Sequence, residues 1–179
     1  MKHSLLALAA MATIVTLGTV PAAVQAGALT DGSMGAVQSL SGRFVVPQSL
    51  GTVRGANLFH SFARFGISPG EAATFATADP GLRFVISRVT GGEPSLLQGP
   101  LQLQAVMGSR PDFVFINPAG ITVMAGGQFD VPAGLHLSTA HLIRFADGAT
   151  WDAHGATGSS LTTAAPESFG FLGTSAAAP

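Results

Sequence analysis

The chain has 179 residues, enough for one ordinary domain, and 47% of them are hydrophobic while 9% are charged. The formal net charge at pH 7 is −1 and neither sign of charge clusters, which excludes the electrostatic surface typical of a protein that binds nucleic acid or acidic lipid. There is no cysteine, so a fold stabilised by disulfides is excluded as well.

Residues 1–26 have the pattern of a secretory signal peptide. Lys2 gives a short basic start, an apolar run extends from Leu5 to Val20, and small residues lead up to Ala26. The apolar run is too short for a stable transmembrane helix. We therefore predict export through the Sec machinery with cleavage after Ala26, and a single N-terminal membrane anchor is the alternative.

The rest of the chain divides by composition into three parts. Residues 27–42 are small and polar and predict a loose lead into the domain, which we place at residues 43–155. Residues 156–179 are rich in alanine, serine and glycine and predict a fraying end. In the first run of the domain, "RFVVPQSL", Pro47 limits the run to an edge strand or to a strand end.

The next run, "NLFHSFARF", carries large apolar side chains on both faces. In an extended strand His60 shares one face with Phe62, whereas Phe59 and Ser61 lie on the other face. We therefore predict a strand that is covered on both sides. Because buried polar groups need hydrogen-bond partners, we expect His60 and Ser61 to tie this strand to a neighbouring turn.

The following runs are short, and each ends at glycine or proline. No window of helical length shows a period near 3.6. Short strands with glycine corners favour a coiled solenoid, in which each strand stacks on the strand one coil earlier, and a β-sandwich remains open as the alternative. The side chains expected to face solvent are those of Gln102, Gln104, Arg88 and Arg144.

Patterns that would support catalysis are weak. His60 and Ser61 are adjacent, so on a strand they point to opposite faces and cannot act together as base and nucleophile. No Gly-x-Ser-x-Gly sequence is present. We predict that the protein is not an enzyme and has no catalytic residue.

Histidines and acidic residues in the second half raise the question of a metal site. His136 and His141 are five residues apart, which puts them on opposite faces of a continuous strand, whereas Asp152 and His154 could share a face. No His-Glu-x-x-His or cysteine pattern is present. Surface histidines are the preferred interpretation, so we predict neither a metal ion nor a cofactor. The residues considered are Asp130, His136, His141, Asp147, Asp152 and His154.

Several motifs occur together and in a fixed order. They are "NLFHSFARFGISPGEAATF", "VISRVTGG", "GPLQ", "FVFINPAGI", "FDV" and "STA". In this order they resemble the N-terminal secretion domain of filamentous-haemagglutinin-type exoproteins, the TpsA-type passengers of bacterial two-partner secretion. The resemblance covers roughly residues 40–150.

The resemblance implies an all-β fold, a right-handed parallel β-helix with an N-terminal β cap. It also implies a non-enzymatic domain that the POTRA domains of a TpsB-type outer-membrane transporter recognise in the periplasm. The passenger would be secreted or held at the cell surface and would act in adhesion on a host-cell or surface ligand. The alternative is a stand-alone surface adhesin or an envelope structural module. For a passenger of this family, residues 156–179 are expected to be the truncated start of further coils.

The motif Asn-Pro-Asn-Gly-Ile of that family is matched here except at its middle position, where Ala119 replaces asparagine. The run from Arg88 to Gly92 matches without change. We expect the matching residues to serve recognition or the structure of the motif. These residues are Asn57, Phe59, His60, Phe62, Arg88, Thr90, Gly91, Asn117, Pro118, Gly120 and Ile121.

Overall fold

The computed structural model describes residues 27–155 and 160–171, so the predicted leader lies outside the described residues. Within the described part there are sixteen strands, one 3-10 turn at Gln48–Leu50 and no α-helix. The strands are β1 (Ala28–Thr30), β2 (Ser39–Leu40), β3 (Arg43–Pro47), β4 (Thr52–Arg54), β5 (Asn57–Phe65), β6 (Ala72–Ala76), β7 (Phe84–Val89), β8 (Ser95–Leu97), β9 (Pro100–Gln104), β10 (Asp112–Ile116), β11 (Ile121–Val123), β12 (Gln128–Asp130), β13 (Leu135–Ser138), β14 (Leu142–Phe145), β15 (Thr150–Asp152) and β16 (Pro166–Gly170).

Most of these strands form a parallel β-solenoid of about three turns. One sheet contains β5, β7, β10 and β13 in parallel, a second contains β3, β6, β9 and β12, and a short third pairs β8 with β11. Each strand thus pairs with its counterpart one coil earlier. The predicted solenoid is confirmed, and the β-sandwich alternative is wrong.

Register aligns the inward side chains into columns. Phe75 of β6 lies between Val46 and Leu103 of the neighbouring strands. Phe113 of β10 pairs with Val85 in the same way on the first sheet. The rings of Phe75 and Phe113 meet across the interior at a centroid distance of 4.7 Å. The strand pattern of alternating apolar residues therefore builds one continuous apolar core.

Antiparallel strands close the N-terminal end of the first sheet. Strands β1 and β4 both pair antiparallel with β5, and β2 pairs with β1. Strands β1 and β2 come from residues 27–42, which composition predicts to be a loose lead. This arrangement confirms the expected N-terminal β cap.

A second layer covers the outer face of the first sheet. Strands β14, β15 and β16 form an antiparallel sheet whose Ile143, Phe145 and Trp151 are fully buried. They pack on Phe59 and Ile86, which point outward from the solenoid. Strand β5 is therefore covered on both sides, as expected, but composition does not predict strand β16 in the tail.

The solvent-facing side chains were predicted correctly with one exception. Gln102, Gln104 and Arg144 are exposed, whereas Arg88 is only 3% exposed and lies beneath the second layer. Pro47 ends β3, the outermost strand of its sheet, where its missing N–H costs no sheet hydrogen bond. In the described ranges no helix has the length and apolar character needed to cross a membrane.

Candidate functional site

Arg88 is the centre of a buried polar network on the outer face of β7. Its Nε donates a hydrogen bond to Ser61 Oγ at 2.7 Å, and its Nη1 donates to the Asp152 carbonyl oxygen at 2.5 Å. Its Nη2 lies 3.3 Å from Ser33 Oγ, and the guanidinium carbon lies 4.5 Å from the centre of the Trp151 ring. The planar donor fork thus joins the cap, the solenoid and the second layer.

Asp31 balances the charge of Arg88 through two serines. The hydroxyls of Ser61 and Ser33 donate to its carboxylate at 2.5 and 2.7 Å, and both hydroxyls also accept from Arg88. Burial opposes ionisation of Asp31, but the hydrogen bonds from Ser61, Ser33 and Thr90 outweigh it, so the pKa of Asp31 is lowered. Burial lowers the pKa of Arg88, which Asp31 and Asp152 oppose by their charge.

The turn that follows β7 is fixed by Thr90 and Gly91. The Thr90 hydroxyl lies 3.1 Å from both Asp31 Oδ2 and the Phe62 carbonyl oxygen. A Cβ at Gly91 would lie 2.0 Å from the Ala63 carbonyl oxygen, so only glycine fits here. Both residues were selected from the sequence, and the structure places them where the network meets the surface.

Asn117 fixes the turn that follows β10, one coil later. Its buried side-chain amide donates to the Glu93 carbonyl oxygen and to Ser95 Oγ, both at 2.9 Å. Its Oδ1 accepts the backbone N–H of Ala119 at 3.0 Å. Asparagine can do both because its amide carries donors and an acceptor. The turn is therefore joined to the corner of the preceding coil.

The backbone of this turn tolerates the replacement at its middle position. Gly120 has a φ of +126°, whereas no residue other than glycine has a positive φ within the described ranges. Ala119 therefore adopts an ordinary conformation and carries no left-handed strain. Pro118 is half-buried beside it, and Ile121 starts β11, pairs with Ser95 and packs against the solenoid core.

The two turns meet at the surface and form one groove of about 250 Å³. Val89, Thr90 and Gly92 line one side, and residues 117–119 line the other. His141 and His154, from the second layer, close the groove with their rings stacked at 5.5 Å. Two motifs that are separated in sequence are thus brought into one surface feature, which we call the two-turn groove.

His60 lies away from this groove, inside the solenoid. It is 1% exposed, stacks with Phe62 at 6.2 Å and meets Phe75 edge to face at 5.6 Å. Neither ring nitrogen has a hydrogen-bond partner in the part of the chain that the structure describes. Burial lowers the pKa of His60 to about 4, although a backbone group of Leu50 favours the charged form. The predicted tie to a turn is correct for Ser61, which contacts the turn at Asp31, and the imidazole of His60 lies against the turn formed by Gln48–Leu50 and Gly51.

Three further residues selected from the sequence also lie outside the groove. Phe62 belongs to the solenoid core, and Phe59 packs outward against Trp151 at 5.1 Å. The Asn57 side-chain amide donates to the carbonyl oxygens of Thr162 and Ala164 at 2.9 and 2.7 Å. These residues shape the domain and have no path to a ligand at the groove.

The histidines and acidic residues of the second half do not come together as a ligand set. His154 Nδ1 lies 3.7 Å from Asp152 Oδ1, a contact that becomes an ion pair when the histidine is protonated. Across residues 27–155 and 160–171, no group of three or more histidines and acidic residues is placed to hold a metal ion. Ser61 points to Asp31 and Arg88, on the opposite face from His60, so these two neighbours cannot act as nucleophile and base.

Several members of the network were not selected from the sequence. Asp31 and Ser33 lie in the polar stretch interpreted as a lead, and Ser95 follows a Pro-containing corner without a motif of its own. The local signal that could have found Asp31 is its Asx turn, in which the Ser33 N–H donates to Asp31 Oδ1 at 2.9 Å. Its pairing with Arg88 depends on long-range packing.

Comparison with known proteins gives one match. The family model described as the TPS secretion domain matches residues 23–175 of the chain. No curated protein and no solved structure matches it. The matched range contains the cap, the solenoid, the second layer and the two-turn groove.

Proposed function

The chain belongs to the TPS secretion domain family, and from this we propose that it is the secretion-recognition domain of a filamentous-haemagglutinin-like exoprotein, bound at its two-turn groove by a partner transporter. Membership of the family implies two-partner secretion and a TpsB-type transporter as the general partner. One observation supports the proposal that the transporter binds at the groove: residues of both motif turns line it. We propose that the POTRA domains of the transporter bind there.

The residues around the groove fall into two groups: buried residues that hold the turns in place, and accessible residues that a partner can contact. Asn117 and Arg88 are buried and hold the two turns in place. Thr90, Pro118 and Ala119 are half-buried, and Gly91 and Gly92 are exposed. A partner would therefore contact the second group, and changes in the first group would act through the shape of the turns.

We place this recognition in the periplasm, after export through the Sec machinery and removal of residues 1–26. The family match begins at residue 23, close to the proposed cleavage site at Ala26. It also includes the lead at 27–42, the domain at 43–155 and most of the tail. We propose that these parts act as one secretion module and that the exoprotein reaches the medium or the cell surface.

The role of the passenger is proposed to be adhesion, from the resemblance to filamentous haemagglutinin. A stand-alone surface adhesin is the second candidate, and one observation favours it. Val123 is 46% exposed and Phe171 is 63% exposed, and both line a cavity of about 330 Å³. Exposed apolar surface of this kind occurs at binding sites.

The test of the proposed function is a secretion assay with the partner transporter present or absent. Ala119→Glu places a charged side chain in the groove, and Ala146→Glu makes the same change at an exposed position outside it. We expect transporter-dependent appearance of the wild type and of Ala146→Glu in the medium. Ala119→Glu should reduce secretion at least about tenfold, because a loss of 1.4 kcal/mol in binding free energy already lowers the affinity for the transporter by that factor.

The melting temperature of purified Ala119→Glu should stay close to that of the control variant, since both sites are at the surface. Equal secretion of the two variants would contradict binding at the groove. Secretion that does not need the transporter would contradict the secretion-domain role and favour the adhesin.

A further inference from the structure

Glu71 binds the start of the described chain. Its Oε2 accepts the backbone N–H of Gly27 at 3.1 Å and that of Ser68 at 3.0 Å. Its Oε1 accepts the N–H of Gly42 at 2.8 Å. One carboxylate thus joins the first residue of the cap, the start of β3 and the turn before β6. Among the described residues its partners are these three neutral amides and no cationic side chain.

Gly27 is the residue that follows the predicted cleavage site. If peptidase cuts after Ala26, the Gly27 nitrogen changes from a neutral amide into an α-ammonium group, which carries a positive charge at neutral pH. This nitrogen already lies within hydrogen-bond distance of a carboxylate oxygen. A charged donor to a carboxylate is roughly twice as strong as a neutral one.

We propose that Glu71 is the binding site for the amino terminus created by leader cleavage, and that cleavage after Ala26 thereby strengthens the attachment of the N-terminal cap to the solenoid. This goes beyond transporter recognition and rests only on the proposed removal of residues 1–26. Cleavage breaks the Ala26–Gly27 peptide bond with water, leaving the Ala26 carboxylate on the leader and the ammonium group on Gly27.

The fold also selects between two possible cleavage sites. Signal peptidase also accepts the small-x-small pattern of Ala26-Gly27-Ala28, and a cut directed by that pattern would fall after Ala28. That cut would remove Gly27, whose carbonyl oxygen accepts the Gly66 N–H at 2.9 Å. Ala28 is fully buried and pairs with Phe65 and Leu40. Only cleavage after Ala26 leaves the cap intact and puts the new terminus on Glu71.

The first experiment identifies the terminus. The intact mass of the exported protein should correspond to a chain that starts at Gly27. A chain that starts at Leu29, or that keeps residues before Gly27, would overturn the proposal whatever the transporter does.

The second experiment measures the ion pair by a double-mutant cycle. Protein that starts at Gly27 and protein that starts at Gln25, in which the Gly27 nitrogen stays an amide, are each prepared with and without Glu71→Gln. We expect Glu71→Gln to lower the melting temperature in both, with a loss about 2–4 °C larger in the Gly27 form, since about 1 kcal/mol has this effect in a chain of this size. Equal losses would overturn the ion pair.

The third measurement needs no variant. Lys2 is the only lysine of the sequence, so a protein prepared as residues 27–179 carries the α-amine as its one amine. An ion-paired amine holds its proton more tightly, and one unit in its pKa lowers the reactive free amine about tenfold. Acylation at pH 7 should therefore be about tenfold slower in the folded protein than in urea. Equal rates would overturn the proposal.

Discussion

At the scale of single residues, Arg88 shows how a charge can be buried at low cost. Its three hydrogen bonds reach Ser61, Ser33 and the Asp152 carbonyl, and the charge of Asp31 lies beyond the two serines. A buried charge is stable only when such partners surround it. The hydrogen bonds need a planar fork with several donors, which lysine does not have.

We therefore expect Arg88→Lys to lower the free energy of unfolding by about 2 kcal/mol, the range found for hydrogen bonds to charged groups. Urea unfolding followed by circular dichroism measures this. The matched control is Arg144→Lys, at an exposed position on β14, which should change stability by less than about 0.5 kcal/mol. Equal effects of the two changes would contradict the network.

His60 makes stability depend on pH. Its pKa is about 4 in the folded protein and 6.5 in the unfolded chain, so the unfolded state binds more protons between these values. Stability is therefore full above pH 6.5 and falls as the pH drops towards 4, by about 3 kcal/mol, from roughly 2.5 units at 1.36 kcal/mol each.

The control is His60→Leu, which has a similar volume and no titrating group. The difference in unfolding free energy between wild type and His60→Leu should change by about 3 kcal/mol from pH 7 to pH 4. A constant difference would contradict a neutral buried imidazole. His60→Ala should lower the melting temperature at pH 7, because it leaves a cavity among Phe62 and Phe75.

At the scale of elements, the second layer determines which face of the solenoid is accessible. Strands β14, β15 and β16 cover the outward side chains of β5 and β7, and Phe145 lies 5.9 Å from Phe59. Most residues of β5, β7 and β10 are therefore buried on both faces of the sheet, whereas His136 on β13 is exposed. The exposed face of the solenoid near the motifs is reduced to the turns, which is where the two-turn groove lies.

Phe145→Ala should destabilise the protein by about 3–5 kcal/mol, the usual cost of removing a fully buried phenylalanine ring. The matched control is Phe171→Ala, since Phe171 is 63% exposed. We expect that change to stay within about 0.5 kcal/mol. Chemical unfolding of both variants checks the prediction, and a small effect at Phe145 would mean that the layer contributes little.

The elements also show what the sequence could and could not predict. Alternation at residues 101–104 is a local signal, and it placed Leu101 and Leu103 inward correctly. The turn at 117–120 was found because proline and glycine punctuate it. Strand β16 was missed because its partner β14 lies more than twenty residues earlier, and nothing in its own composition favours a strand.

The candidate site was likewise predicted in part: its motif residues were found from local sequence, and its long-range contacts were not. The motif runs identified Arg88, Thr90 and Asn117, and these residues do build the two-turn groove. The sequence did not show that Arg88 is buried, because a lone arginine on a strand looks like a solvated side chain. Burial of Arg88 depends on the second layer, and its pairing with Asp31 depends on the cap, where Asp31 directly follows β1.

At the scale of the whole molecule, the parallel coils explain how the domain is stable without a disulfide. Every inner strand of the solenoid has a hydrogen-bonded neighbour on each side, and the cap and second layer cover what remains of the first sheet. Backbone pairing and a continuous apolar core thus replace covalent cross-links. Beside strand pairing and apolar packing, the side chains of Arg88, Glu71 and Asn57 attach these layers to one another by hydrogen bonds.

Asn57 has a consequence for the order in which the protein can reach its final shape. Its side-chain amide nitrogen donates to the carbonyls of Thr162 and Ala164, the first of them 105 residues further along the chain. Without residues 160–170, coil after coil can stack, but the Asn57 amide lacks these two acceptors and the outward face of β5, including Phe59, lacks part of its cover. The fold is therefore complete only when the last described strand has joined β14. A chain cut before residue 160 would keep its solenoid pairing and lose the partners of Asn57.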